Sequence, residues 1–244
     1  MKIRVGFTGI KGGVGRTTLA LNSAFYLSNH YKVLYLDKDL ISLGSHILGF
    51  NGKGFHKAII NDLSEEEYVF KVNRNLTLFK FFSDPIMEDK LHKEACAKKD
   101  KVEKAYLNVF SEKYDVIIVD YGMVFRIDDP LAYDEEELFR KYFPEYHIAT
   151  VGITDAILED IISTAKYFKR ITDEAKSEPL AFVINMLPTD INKEEIDQVI
   201  EQIKEILKCE IVTIPFREEF MSKEFGKYEE LVKVGKIIEK RLNS

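Results

Sequence analysis

The sequence predicts an α/β fold: a doubly wound, mostly parallel β-sheet flanked by helices. Short apolar runs end in a carboxylate or a glycine loop, amphipathic helical stretches lie between them, and a glycine-rich loop follows the first run directly. Strands alternating with helices require right-handed crossovers and a sheet covered on both faces.

The first strand is expected at 3–7, where Arg4 interrupts an otherwise apolar run. The runs 33–36 before Asp37 and 116–119 before Asp120 are apolar throughout, as strands buried on both faces require. Further strands are expected at 76–82, 148–151, 180–184 and 211–214. Ile157, Ile161, Ile162, Ala165 and Phe168 recur at helical spacing. So do Ile196, Val199, Ile200, Ile203 and Leu207, and then Leu231, Val234, Ile237, Ile238 and Leu242. The acidic stretch 128–137, with Pro130 inside it, is expected to be a mobile loop. No repeat or low-complexity linker divides the 244 residues, so one domain over 1–244 is expected.

Composition narrows the function classes. The hydrophobic share of 45% and charged share of 31% suit a globular chain. The net charge of −6 opposes general attraction to a polyanion, so nucleic-acid binding would need a local basic patch. Cys96 and Cys209 stand far apart, with no CxxC pair and no zinc or cluster spacing, which suits a reducing compartment. Neither a signal peptide nor a spanning apolar run is present, so a cytoplasmic location is expected.

The chemistry lies in TGIKGGVGRTTLAL, directly after the first strand. Gly12, Gly13 and Gly15, with Val14 between them, let the backbone curl and turn its N–H groups toward a phosphate. Thr17 and Thr18 then open a helix whose N-terminus adds positive dipole at the same spot. The Thr17 hydroxyl is suited to Mg²⁺, and Thr18 to an inner phosphate. Strand, loop and helix stand in the order a P-loop NTPase needs.

KGGVGRTT resembles the deviant Walker A motif KGGxGK[ST]T of the MinD/ParA superfamily, with Ile10 before it and Arg16 in place of the usual lysine. The resemblance implies ATP or ADP with Mg²⁺ as cofactors and an ATP-dependent homodimer. In that dimer Lys11 matches the signature lysine that touches the partner's phosphates. Arg16 keeps the phosphate-clamping charge on a wider, planar group, so slow hydrolysis is expected. VLYLDKDL resembles the family's DxD segment, implying that Asp37 helps hold the Mg²⁺ hydration shell and Asp39 orients the attacking water. YDVIIVDYG resembles the Walker B segment, implying a metal-side role for Asp120, with Tyr121 and Gly122 where relatives carry prolines. FVINML places Asn185 like the family's adenine-bonding asparagine, and IPF places Pro215 in the segment that closes over the base. These matches run from residue 3 to about residue 216.

The resemblance implies a slow ATPase acting as a dimerisation switch in DNA partition or cargo positioning, helped by a protein partner that stimulates hydrolysis. Two alternatives stay open: a nucleotide-binding regulator with little hydrolysis, and a metal-centre maturation ATPase of the same superfamily. Non-specific DNA stays open as a partner, because Lys233, Lys236 and Lys240 share a helical face with Arg241 and Lys227 near it. Glu229, Glu230 and Glu239 lie beside them and fit a plain solvated face equally well. Membrane binding is not expected, since the apolar face of that last helix is more simply core.

Overall fold

Residues 1–122, 130–222 and 224–244 are described by the structure, a computed structural model. In chain order the elements are β1 (Lys2–Thr8), α1 (Arg16–Leu27), β2 (Val33–Lys38), α2 (Leu43–Ile47), α3 (Phe55–Ile60), β3 (Val69–Lys71), β4 (Leu76–Lys80), α4 (Glu88–Cys96) and α5 (Lys99–Val109). Then follow β5 (Val116–Tyr121), α6 (Pro130–Tyr142), β6 (Tyr146–Thr154), α7 (Leu158–Glu174), β7 (Glu178–Leu187), α8 (Lys193–Ile206), β8 (Glu210–Pro215) and α9 (Lys233–Leu242). Among the described residues the strands form one sheet in the order β3-β4-β2-β5-β1-β6-β7-β8. Every pairing is parallel except that of β3 with β4.

This is the doubly wound sheet expected from the sequence. The chain leaves β1 toward β2 on one side and reaches β6 on the other, so the winding reverses at β1. Sheets of this kind hold ligands at the carboxyl ends of strands at such a reversal. Each predicted strand is present with its ends extended or trimmed by a few residues. Strand β3 and helices α2 and α3 are too short to show a period, which is why the sequence did not reveal them.

Both faces of the sheet are covered. Ile3, Val5 and Phe7 pack with Leu19, Ala20, Val234 and Ile238 of α1 and α9. Leu34, Leu36, Ile117 and Val119 pack with Phe55, Tyr106 and Phe139 of α3, α5 and α6. On the predicted faces of α7 and α8, Ile161, Ala165, Phe168, Ile196 and Ile203 are buried. Ile157 instead precedes α7 and is 50% exposed.

The stretch expected to be a mobile loop is corrected in part: from Pro130 onward it is helix α6, while 128 and 129 lie outside the described residues. Proline is favoured at a first helical position, where its fixed φ suits the helix and its missing N–H costs nothing. Glu135 and Phe139, one turn apart, anchor α6 to the sheet. An acidic composition marked the exposed face of a helix.

Candidate functional site

Between β1 and α1 the chain makes a tight open loop. Gly13 and Gly15 adopt left-handed φ values of +78° and +88°, a region glycine enters without steric cost. A Cβ at Gly12 or Gly13 would meet nothing within 4 Å, so their backbone faces open space. At Gly15 a Cβ would come 2.3 Å from Asn185 Nδ2. The Val14 side chain is buried in the core, which pins the loop and leaves Val14 only backbone to offer a ligand. Arg16 opens α1, and its Nη1 donates to the Gly9 carbonyl at 2.7 Å. Thr17 is buried and Thr18 half-buried on the following turn.

Facing this loop are two buried carboxylates on adjacent strands, since Asp37 of β2 and Asp120 of β5 stand opposite each other in register. Ser45 donates to Asp37 Oδ2 through its N–H at 2.7 Å and its hydroxyl at 2.6 Å, and the Asp39 N–H donates to Oδ1 at 3.2 Å. The Tyr35 hydroxyl donates to Asp120 Oδ2 at 2.7 Å. Among the described residues Asp120 Oδ1 is buried and has no hydrogen-bond partner. Burial pushes the Asp37 carboxyl up to about 6, against the hydrogen bonds from Ser45. Burial and then the Asp37 charge push Asp120 up to about 7, partly offset by Tyr35 and Thr17. An unpartnered buried carboxylate oxygen beside a second carboxylate and the Thr17 hydroxyl is a donor set that fits a hard divalent cation such as Mg²⁺. Burial lowers the Arg16 guanidinium, while the Asp120 and Asp39 charges act to raise it. Arg16 therefore belongs to the same electrostatic cluster.

The sequence-predicted residues converge here. Asp39 is half-buried beside Gly122, whose backbone approaches so closely that a Cβ would lie 2.8 Å from Asp39 Oδ1. Asn185, near the end of β7, donates from Nδ2 to the Val14 carbonyl at 2.9 Å and so props the loop. Pro215 pairs with Leu187 at the ends of β8 and β7. Lys11 is held by its own chain: it pairs with Asp160 and lies 3.6 Å from Asp155. The Asp160 hydrogen bond raises its pKa.

Sequence reasoning missed the supports of these residues. Asp155 and Asp160 hold Lys11, and Asp155, just after β6, carries the same strand-end carboxylate signal as Asp37 and Asp120. A second missed group explains the charge inside β1. Arg4 is 1% exposed and donates to both carboxylate oxygens of Glu135, from Nη1 at 3.0 Å and Nη2 at 2.6 Å. Lys38, between Asp37 and Asp39, reaches the same carboxylate at 3.1 Å. Burial pushes Glu135 up, but the Arg4 and Lys38 charges outweigh it and hold the carboxyl at about 2. Tyr121 joins this group through Arg4 at 3.3 Å and Glu136 at 3.1 Å, its ring lying where a Cβ on Gly6 would be 2.7 Å away. A cation inside an apolar strand was the available signal, because such a charge is kept only when paired.

The basic residues of the C-terminal segment are all engaged. Lys236 pairs with Glu229, Lys240 with Glu210 at 3.3 Å, Arg241 with Glu178 at 3.0 Å and Lys227 with Glu224 at 2.7 Å. Lys233 donates to the Thr213 carbonyl at 3.3 Å. No helix of the described residues is long and apolar enough to cross a membrane.

Comparison with known proteins places this site in a family. Over 176 residues the chain is 28% identical to an uncharacterised ATP-binding protein of Methanocaldococcus jannaschii, covering 70% of this chain and 61% of that protein. A second M. jannaschii protein, also uncharacterised, is matched over 46% of its length, so the chain spans about half to three-fifths of these relatives. The fold matches a putative plasmid partition protein of Borrelia burgdorferi bound to AMPPNP, with TM-score 0.70, 17% identity, and coverage of 99% of this chain and 98% of that one. It also matches the septum site-determining protein MinD of Pyrococcus horikoshii in complex with Mg-ADP, with TM-score 0.69, 19% identity, and coverage of 99% and 97%. The sequence pattern of the CobQ/CobB/MinD/ParA nucleotide binding domain matches residues 5–227. With its glycine loop, paired carboxylates and sheet order all in place, the chain belongs to the CobQ/CobB/MinD/ParA nucleotide binding domain family.

Proposed function

We propose that residues 1–244 form one nucleotide-binding domain that binds ATP or ADP with Mg²⁺, hydrolyses ATP slowly, and forms a homodimer when ATP is bound. The observation that carries this is the open glycine loop facing the buried Asp37 and Asp120 pair, with one Asp120 oxygen unpartnered. In this reading the N–H groups of residues 12–18 bind the phosphates, helped by the N-terminus of α1. Arg16 turns from the Gly9 carbonyl to an outer phosphate. Thr17 and Asp120, with Asp37 behind them, hold Mg²⁺, which supplies charge neutralisation for the phosphates. Asp39 orients the attacking water in line with the bond that breaks, and positioning of this sort is most of what a protein contributes to phosphoryl transfer. Asn185 and Pro215 border the base.

Dimerisation in this reading requires Lys11 to leave Asp160 and Asp155 for the partner's phosphates. The M. jannaschii relative named ATP-binding and the AMPPNP-bound and Mg-ADP-bound fold relatives support the choice of nucleotide. The partition and septum-site relatives support a role in positioning a cargo, with a protein partner stimulating hydrolysis. A regulator with little hydrolysis is the second reading, favoured by the Arg16 bond to Gly9, which spends a donor on the loop itself. A DNA-binding surface on α9 gains little support, since its cations are already paired.

Calorimetry with MgATP and MgADP, followed by sizing under saturating ATP, tests the proposal. Binding of both nucleotides and a dimer with ATP alone are expected. No adenine-nucleotide affinity at millimolar concentration overturns it. Binding without turnover leaves the regulator.

A further inference from the structure

Between α4 and α6 lies a second group of polar side chains, none of them assigned to nucleotide chemistry. His92 and Cys96 lie one turn apart on α4, and Asp134 of α6 faces them. His92 Nε2 is 2.9 Å from Asp134 Oδ2 and 3.6 Å from Cys96 Sγ, and the three donor atoms all lie within 4.8 Å of one another. Behind His92 stands a buried relay. His92 Nδ1 is 3.5 Å from His56 Nε2, and His56 Nδ1 is 2.5 Å from Glu88 Oε1. Glu88 Oε2 also accepts the N–H groups of Ser83 at 2.7 Å and Asp84 at 3.2 Å.

The relay can leave its outer end free to bind a cation. With His56 Nδ1 donating to Glu88, His56 Nε2 is left as an acceptor. The 3.5 Å contact to His92 Nδ1 is too long to fix the His92 tautomer by itself; with its proton on Nδ1, His92 keeps a lone pair on Nε2. In that tautomer the lone pair faces the Asp134 carboxylate at 2.9 Å, and a cation between them would satisfy both. We propose that His92 Nε2, Cys96 Sγ and Asp134 Oδ2 bind a divalent cation of the zinc class, with a fourth position open to water.

The donor set suits such an ion. Imidazole, thiolate and carboxylate bind Zn²⁺ at about 2.0–2.3 Å, which sets tetrahedral ligand–ligand edges of roughly 3.3–3.8 Å, and the observed spacings reach these with small side-chain movements. A divalent cation deprotonates a coordinating thiol, so the Cys96 thiolate forms with the ion. His92 is 8% exposed, while the Asp134 side chain is 46% exposed, which leaves an entry path for the ion. The buried His56 and Glu88 orient the imidazole from behind, the usual arrangement for a metal-bound histidine. A bound ion ties α4 to α6, the helix whose Glu135 pairs with Arg4 and Lys38. The cysteine spacing gave no hint of the site because two of its three ligands are not cysteines.

Cobalt(II) is the probe. The full-length chain, stripped with chelator and kept reduced with a phosphine, is titrated with Co²⁺ without nucleotide. One Co²⁺ per chain is expected, with intense tetrahedral d–d absorption, a thiolate-to-cobalt charge-transfer band and a raised melting temperature. Cys96→Ser abolishes the charge-transfer band, and both it and Asp134→Asn weaken binding by about tenfold or more. Both substitutions fall at exposed positions, and circular dichroism of the stripped variants checks that they fold. Thr17→Ala, which disables the phosphate-loop cation site, leaves the cobalt spectrum unchanged. No uptake at millimolar Co²⁺, uptake indifferent to Cys96→Ser, or uptake lost in Thr17→Ala overturns the proposal.

Discussion

In the proposed function, Arg16 is the side chain at which binding and rate should separate. Its guanidinium is anchored by the Gly9 carbonyl at 2.7 Å and sits in the field of Asp120 and Asp39. The phosphate cradle is backbone and helix dipole, and a change at this side chain leaves it intact. The developing charge on a transferring phosphoryl group is sensitive to where the cation sits, and each ~1.4 kcal/mol of lost stabilisation costs about tenfold in rate. Arg16→Lys is therefore expected to raise single-turnover hydrolysis by roughly tenfold while changing MgATP affinity by less than about threefold. Equal changes in both, measured by rapid quench and calorimetry, would place the limit elsewhere. Lys11 carries a second residue-scale prediction. Its contact with Asp160 competes with any contact to a partner subunit, so Asp160→Ala should lower the ATP concentration needed for half-maximal dimer. An exposed ion pair is weak, so the shift should be no more than severalfold. An unchanged sizing profile across an ATP titration counts against the competition. The glycines, threonines and strand-end aspartates were legible because each performs its task alone at a fixed chain offset. The partners of Lys11 were not, since Asp160 is 149 residues away and nothing local joins the two.

The charge at Arg4 could not be explained from the seven residues of strand β1 alone. Its odd positions, Ile3, Val5 and Phe7, feed one core, while Arg4 points to the face under α6 and meets Glu135 there. That face binds the two carboxylate-bearing strand ends together, because Lys38 lies between Asp37 and Asp39 and Tyr121 directly follows Asp120. The Tyr-Gly that replaces the family's prolines thus has a structural role: Tyr121 lies over Gly6 and bonds Arg4, and Gly122 admits Asp39. A buried carboxylate between two buried cations costs much desolvation, and losing it leaves both cations uncompensated. Glu135→Gln is expected to destabilise the protein by about 3–5 kcal/mol. Urea denaturation at neutral pH measures it, and a loss below about 1 kcal/mol would mean that water already reaches the group. The shift of Glu135 down to about 2 adds a pH signature. Its contribution is fully present above the ordinary carboxylate range and is lost as pH falls from about 4.5 to about 2. Helix α6 itself was hidden in the sequence because its exposed acidic face resembles a loop, and its buried contacts are made to residues far along the chain.

The whole sheet was legible for a simpler reason: it is covered on both faces, so its strands read as apolar runs and its crossovers as helices. The same parallel register sets Asp37 directly beside Asp120 in a buried site, and that juxtaposition should be visible in global stability. Both carboxyls titrate higher in the folded protein, at about 6 and about 7, than the 3.8 of an unfolded aspartate. Between those limits the folded chain holds protons that the unfolded chain has released, so stability falls as pH rises from about 4 to about 7. His56, pushed down by burial, acts oppositely within part of that window. Comparing the wild type with Asp120→Asn cancels the histidine, since both proteins contain it. Asparagine keeps an oxygen for the Tyr35 hydroxyl and removes the charge. In chelator and without nucleotide, Asp120→Asn should be more stable than wild type at pH 7.5, by on the order of 2 kcal/mol. The two proteins should converge toward pH 5. Mg²⁺ with ATP should reverse the order, because the cation compensates the wild-type charges and asparagine offers it no anion. Denaturant titrations at pH 5, 6 and 7.5 supply the measurement. If Asp120→Asn is the less stable protein at pH 7.5 without metal, burial and the Asp37 charge do not destabilise the Asp120 anion and the case for a cation beside it fails.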